Sequence, residues 1–247
     1  IKYWHAKYVF EHLEDFMDLQ ELLNKLNDEQ KSAALDIHGP SMVVAGPGSG
    51  KTFTLVVRTA NMIENGIPAD KIILFTFTKK AALEIKERVI ATIGEQANSI
   101  TVGTYHGVCS KILRRYANYV GLTKAFSILD TDDCKKIAKD IIKTSGYNIE
   151  TDKLLWKISD YKCKLMTPTD AIQNATTIIE SQAAELYRLY AAKLLAQNCV
   201  DYDDLIFKTV HLLHYYPDVR EELNKQYQYI VAEFIGPHYG DVACVPL

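Results

Sequence analysis

The sequence predicts an α/β protein whose doubly wound parallel sheet is interrupted by an all-helical segment. Three observations carry this. Short β-rich apolar runs alternate with helical spacing from Ser41 to Tyr119, only helical periods appear from Thr131 to Leu195, and a last apolar run, Tyr229–Phe234, follows them. Strands alternating with helices argue for a parallel sheet, and the late run argues for a strand that rejoins it. A length of 247 residues holds one large or two modest domains, and a hydrophobic content of 48% can build a core.

Asn27-Asp28-Glu29-Gln30 opens the first helix, with Asn27 as N-cap and Gln30 three positions on, as in a capping box. Ser41-Met42-Val43-Val44 reads as a buried strand. It runs into Ala45-Gly46-Pro47-Gly48-Ser49-Gly50-Lys51-Thr52, a phosphate-binding loop with every required position filled. Phe53 to Ile63 then reads as a helix whose Val56, Ala60 and Ile63 share a face, closed by Asn65-Gly66. This strand–loop–helix context is the one the motif needs. The glycines let backbone N–H groups turn around an anion, and the helix N-terminus adds partial positive charge. Lys51 suits the β- and γ-phosphates, and the Thr52 hydroxyl suits Mg²⁺. The chain is therefore expected to bind a nucleoside triphosphate.

Lys71 to Phe77 (KIILFTF) is β-rich with a continuous apolar centre, as a parallel strand buried on both faces should be. Lys80 to Ile93 returns to helical spacing through Ala82, Ile85, Val89 and Ile93. Ile100–Gly103 is a third strand and Tyr105–Tyr119 a third helix. Thr131-Asp132-Asp133 is the expected cap of the helical segment, with breaks at Ser145-Gly146 and Thr167-Pro168. Asp201–Tyr215 and Pro217–Gln226 are helices that lead into Tyr229–Phe234.

No apolar run approaches a membrane span, and the first residues lack a signal peptide's apolar stretch. Cys109, Cys134, Cys163, Cys199 and Cys244 are widely separated with no C-x-x-C pair, the pattern of reduced thiols in a cytoplasmic protein. A net charge of −3 gives no bulk attraction to a polyanion, so any such partner must meet local patches. Lys79-Lys80 with Lys86 and Arg88 is one candidate; Lys111 with Arg114-Arg115 is another. Solvated faces of ordinary helices explain either equally well.

Taken in order, several segments resemble the UvrD/Rep/PcrA family of superfamily 1 DNA helicases. Leu26-Asn27-Asp28-Glu29-Gln30 resembles the motif whose glutamine reads adenine, and the phosphate loop matches the first helicase motif. Thr76-Phe77-Thr78-Lys79-Lys80-Ala81-Ala82 and Val102-Gly103-Thr104-Tyr105-His106-Gly107 resemble its two single-strand-contacting motifs. Ile158-Ser159 with Lys162 and Pro168 is similar to the helical subdomain 1B, and Val200-Asp201-Tyr202-Asp203-Asp204-Leu205 to the return into subdomain 1A. The resemblance implies a RecA-like 1A made of residues 1–120 and 197–247, with 1B over 121–196. It implies ATP and Mg²⁺ as cofactors, and single-stranded or duplex-junction DNA as partner of a 3′-to-5′ helicase. It assigns Lys51 and Glu233 to catalysis and Thr52 to Mg²⁺. It assigns Gln30 and Ala45 to Thr52 to ATP, and Phe77, Thr78, Lys79, Thr104 and His106 to DNA. Each has a plainer alternative: Gln30 as a capping residue, Phe77 as core, and Thr78, Thr104 and His106 as loop caps. Lys79 replaces the family's usual asparagine, and a cation there raises the salt dependence of DNA binding.

The family pattern at the late strand is Asp-Glu followed by Gln-Asp. Here Glu233 and Phe234 align, Ala232 takes the aspartate's place, the strand is one residue short, and no Gln-Asp follows. The resemblance therefore leads us to expect an N-terminal fragment missing the second RecA-like domain and not competent for hydrolysis by itself, with a Phe234–Leu247 tail foreign to the fold. Met17 would be a natural start, and on that ground Ile1–Phe16 is expected to be additional. A non-hydrolysing ATP- and DNA-binding module is the second reading. A phosphate-loop kinase or GTPase is the third, disfavoured because no guanine-reading N-K-x-D and no lid is present.

Overall fold

A computed structural model describes residues 18–46, 48–234 and 241–245. The described chain forms two compact units, one up to Tyr105 and again from Glu222, the other His106–Glu221.

In the first unit, α1 (Leu19–Asn24) and α2 (Asp28–Leu35) precede β1 (Ser41–Ala45) and α3 (Lys51–Glu64). Then follow β2 (Ile72–Thr76), α4 (Lys79–Ile93) and β3 (Thr101–Thr104), which runs into α5 (Tyr105–Arg115). α11 (Pro217–Gln226) begins in the second unit, and β6 (Tyr229–Phe234) and β7 (Asp241–Val245) follow in the first. The sheet order is β1-β7-β6-β2-β3. β2 pairs in parallel with β3 and β6, so the late strand does rejoin the early ones across the helical unit.

Several expectations need correction. The sheet is mixed rather than wholly parallel, because β7 lies antiparallel between β1 and β6. Part of the tail expected to be foreign to the fold thus supplies a strand, whose backbone satisfies the facing ladders of both neighbours. β1 is also not buried on both faces. Val43 packs on the core, but Met42 is 66% and Val44 61% exposed. The reason is positional: β1 ends the sheet, so successive side chains alternate between the packed face and an uncovered one. β2, flanked on both sides, has Ile72, Ile73 and Leu74 all buried. The expectation for Ile1–Phe16 falls outside the described residues.

The core under the sheet joins Leu55, Val56, Met62 and Ile63 of α3 to Ile85 and Val89 of α4, Ile72 and Leu74 of β2, and Val231 of β6. α4 keeps the expected spacing through Ala82, Ile85 and Val89, whereas α3 is buried on every side from Thr54 to Ile63 rather than along one face.

The second unit continues α5 and adds a two-strand ladder of β4 (Ser127–Ile128) and β5 (Cys199–Val200), too short to be signalled in sequence. Around it lie α6 (Thr131–Ser145), α7 (Thr151–Cys163), α8 (Pro168–Gln173), α9 (Ile178–Ala196) and α10 (Tyr202–Tyr215). The N-cap of α6 is Asp130, whose carboxylate accepts from Asp133 N, rather than a residue of Thr131–Asp133. Gly146 ends α6 in the left-handed region at φ 73°, and Thr167 caps α8 with Pro168 in its first turn, as the breaks predicted. Leu154, Ile158, Tyr187, Tyr190 and Leu194 form the apolar centre.

That centre also holds a charge. Lys162 of α7 is 3% exposed; its Nζ lies 2.6 Å from Asp201 Oδ2 and 3.0 Å from Asp204 Oδ1, and Tyr190 donates to the same Asp201 oxygen at 3.1 Å. Asp201 and Asp204 form the capping box of α10, so a single cation fixes the start of α10 against α7. Burial pushes the Lys162 ammonium down, but the attraction of Asp204 and Asp201 outweighs it and holds the group well above its ordinary value. Removing one partner of a buried ion network strands the others. Lys162→Met is therefore expected to cost about 3–5 kcal/mol, read as a lowered urea midpoint, while Lys153→Met at the surface leaves the midpoint unchanged.

Candidate functional site

β1 ends at Ala45 and α3 begins at Lys51, so the intervening glycines must reverse the chain tightly. Gly48 (φ 74°) and Gly50 (φ 77°) occupy the left-handed region, where a side chain is strained. Gly50 is the N-cap of α3 and supplies no side-chain cap, which leaves the N-terminal end of this helix suited to an anion. Lys51 Nζ donates to the loop's own carbonyls, Ala45 O at 3.2 Å and Gly46 O at 2.6 Å. Pro47 lies outside the described residues. The capping box of α2 is made: Gln30 N donates to Asn27 Oδ1 at 2.8 Å and Asn27 N to Gln30 Oε1 at 3.0 Å. The same amide reaches the loop, with Nε2 donating to Ser49 O at 2.7 Å. Gln30 is therefore both a cap and a neighbour of the phosphate loop.

Glu233, near the end of β6, brings the distant parts together. Its Oε1 accepts from Thr52 Oγ1 at 3.0 Å and its Oε2 from Thr76 Oγ1 at 2.7 Å. Its backbone carbonyl accepts from the Tyr105 hydroxyl at 3.2 Å, and Tyr105 stacks on Phe75 with ring centroids 5.0 Å apart. Parallel pairing explains the convergence: Phe75 faces Ala232 in register, so Thr76 and Glu233, one residue further along each strand, end side by side. Thr76 and Tyr105 belong to segments that resemble the helicase motifs, but only the fold brings them to the site. The available signal was a polar Thr76 ending an otherwise apolar strand, where open α/β sheets place ligands.

The arrangement can accommodate a small hard cation. Thr52 offers one neutral oxygen and Glu233 one carboxylate, and Mg²⁺ binds through one or two carboxylates, waters and substrate phosphates. Ala232, beside Glu233, is buried and adds no oxygen from its side chain. Among the described residues no cluster of three or more acidic, histidine or cysteine side chains could hold a metal by itself.

The candidate nucleic-acid contacts sort by their surroundings. Phe77, just past β2, is 59% exposed and so is not core. Thr78 caps α4, accepting from Ala81 N at 3.0 Å, and Lys79 opens that helix from the surface. Thr104 ends β3 opposite Thr76. These four lie at the same end of β2 and β3. His106 begins the second unit, where its ring stacks on Tyr202 at a centroid distance of 4.2 Å. Tyr202 is 56% exposed and was not foreseen as a site residue. Of the two basic patches, the one around Arg114 has a structural role. Arg114 donates to Lys124 O and Phe126 O and lies 4.2 Å from the centroid of the Phe126 ring. In the other, Arg88 pairs with Glu84. Cys109, Cys134, Cys163 and Cys199 are free thiols, and no described helix is long and apolar enough to cross a membrane.

Comparison with known proteins places this geometry in context. The UvrD/REP helicase N-terminal domain matches residues 26–234. The chain is 37% identical over 225 residues to a probable DNA helicase II homolog of Mycoplasma capricolum, covering 88% of this chain and 31% of that protein. It is 38% identical over 218 residues to the ATP-dependent DNA helicase PcrA of Staphylococcus aureus, covering 86% and 30%. The PcrA of Staphylococcus epidermidis is 35% identical over 216 residues. The chain thus spans about a third of the length of the curated relatives it matches.

The histidines of the second unit give a pH dependence. Burial lowers His106 below its ordinary 6.5, with Asp203 opposing. Burial lowers His211 as well, aided by Lys208 and His214 and opposed by Asp170. A depressed histidine takes up its proton less readily when folded than when unfolded. Its stabilisation is therefore full above 6.5 and is lost as the pH falls below that value. Thermal melts between about pH 7 and about pH 5.5 should show a falling midpoint, with a shallower fall in His106→Gln. An unchanged slope in that variant would contradict the assignment.

Proposed function

Because the chain belongs to the family of UvrD/REP helicase N-terminal domains, we propose that it is the Mg·ATP-binding and single-strand-contacting part of an ATP-dependent 3′-to-5′ DNA helicase or translocase. In this reading residues 1–120 and 197–247 form a RecA-like subdomain 1A, and 121–196 the helical 1B. The compact helical unit, His106–Glu221, takes in most of α5 and all of α10 besides 1B.

One observation carries the proposal. The hydroxyl of Thr52, at the start of α3, meets the carboxylate of Glu233, at the end of a strand far away in sequence. In phosphate-loop enzymes the loop hydroxyl and a strand-end carboxylate hold Mg²⁺ against the β- and γ-phosphates. The ion would supply charge neutralisation on the phosphates. Lys51 would exchange its contacts with the loop carbonyls for phosphate oxygens, and Gln30 would present its amide to the adenine edge. In this reading Lys51 and Glu233 serve catalysis, Gln30 and Ala45 to Thr52 bind ATP, and Thr52 meets the metal ion. The Thr52 contact favours the cation side of the phosphates as the place where Glu233 acts, rather than the water side. With Ala232 before it and Phe234 after it, Glu233 has no acidic neighbour that could orient the attacking water while it serves the cation. That favours slow hydrolysis by this chain, in line with the reading as a binding module. On the DNA side, Phe77 would stack on a base, with Thr78, Lys79, Thr104 and His106 on phosphate or sugar.

Isothermal titration of ATP with Mg²⁺ tests the first half: Lys51→Ala should lower affinity by about tenfold or more, and retained affinity would sink the reading. Fluorescence anisotropy with a single-stranded oligonucleotide tests the second. Phe77→Ala should weaken binding by about tenfold. Lys79→Ala should reduce the slope of log affinity against log salt by about 0.7. Equal binding by wild type and Phe77→Ala would remove the stacking role.

A further inference from the structure

Arg58 lies inside the first unit, on α3 beyond the phosphate loop, and is 2% exposed. Its Nη1 donates to Ala33 O, and Asn61 Nδ2, further along the same helix, donates to Ala34 O at 3.2 Å. Both acceptors belong to the last turn of α2, where carbonyls have no partner within their own helix. The loop's helix therefore grips the C-terminal end of α2. The other end of α2 carries Gln30, whose amide sits on Ser49 O. The fit there is close: a Cβ added to Gly50 would lie 3.1 Å from Gln30 Nε2. One short helix is thus held at two points, by the phosphate loop and by the helix that follows the loop.

Hydrogen bonds to Ala33 account for only part of the guanidinium. Nε and Nη2 of Arg58 and Oγ of Ser41 are buried without a partner among the described residues. Arg58 and Ser41 line a cavity of about 40 Å³ whose other walls include Gln30, Ser49, Lys51 and Thr54. The cavity is walled mostly by apolar atoms, but it is large enough for a water, and the unpartnered Arg58 N–H groups and Ser41 hydroxyl give that water polar partners. Orphaned guanidinium N–H groups are costly unless an acceptor is present. Water there would accept from Arg58 and join α2, β1 and the loop from behind.

We propose that Arg58 is a positioning residue for base recognition: through Ala33 O and water in this cavity it fixes the seat of α2, and so the place of the Gln30 amide beside the phosphate loop. The inference rests on the proposed nucleotide site and deepens it. Base selection then depends on a residue that touches no part of the nucleotide. Asn61 assists from the same helix, and substitution of either should blunt discrimination between bases while sparing the grip on phosphate.

The test is titration of wild type, Arg58→Met, Arg58→Lys, Asn61→Ala and Gln30→Ala with ATP, GTP and inorganic tripolyphosphate, each with Mg²⁺. Arg58→Met is expected to lose about fivefold of the ATP-over-GTP preference, and the Gln30→Ala/Arg58→Met double variant no more than Gln30→Ala alone. Tripolyphosphate affinity should stay within about twofold in all of them, and Arg58→Lys, which keeps a donor for Ala33, should recover part of the preference. If Arg58→Met fails to fold, Asn61→Ala carries the same comparison. An unchanged preference in the variants, or a parallel loss for tripolyphosphate, overturns the role of Arg58. Wild type that binds ATP no better than tripolyphosphate overturns base reading by Gln30, and this inference with it. Wild type that binds neither overturns the nucleotide site itself.

Discussion

The carboxylate of Glu233 is the constraint on which the candidate site depends. It accepts hydrogen bonds from Thr52 and Thr76, which belong to the loop helix and the central strand. Its own backbone carbonyl is held by Tyr105. A buried carboxylate is tolerated only where donors replace the water it has lost, and bonds to charged acceptors contribute roughly 1.5–3 kcal/mol each. The late strand is therefore held in register by the same group that completes the site. Strand pairing delivers the carboxylate, and its donors in turn secure the pairing.

The second unit solves the same physical problem with the opposite sign at its centre. Lys162 is enclosed by Asp201 and Asp204, and Tyr190 donates to the Asp201 oxygen that meets the ammonium. The two carboxylates also cap α10, whose first residue, Tyr202, stacks on His106. An ion network buried among apolar helices thereby decides where exposed Tyr202 meets half-buried His106. Local rules of capping and stacking act here through one long-range contact.

Much of this architecture is legible in the residues themselves. Glycines at positions 48 and 50 state that the chain turns through positive φ after β1, and both do. The capping box of Asn27 and Gln30, the glycine stop at 146 and the proline start at 168 are local features, and each appears where its chemistry requires. Less legible were features set by neighbours distant in sequence. Val44 looks like core until its strand is found at the end of the sheet with one face uncovered. The antiparallel β7 had no signal, since its pairing partners lie on strands from both ends of the chain. Arg114 looked like part of a basic patch but folds onto Phe126 and nearby carbonyls.

By itself the sequence determined the phosphate loop, the helices and their caps, the alternation that makes a sheet, and a family likeness extending from Leu26 to Phe234. These are short-range matters: backbone sterics, capping chemistry and hydrophobic period are all written within a few residues. Only the tertiary structure decided that Thr52, Thr76 and Glu233 meet, that Gln30 rests on Ser49, and that Arg58 and Lys162 are buried charges rather than surface ones. Such contacts join residues far apart along the chain, and no local preference encodes which distant partner a side chain will find once the sheet has closed.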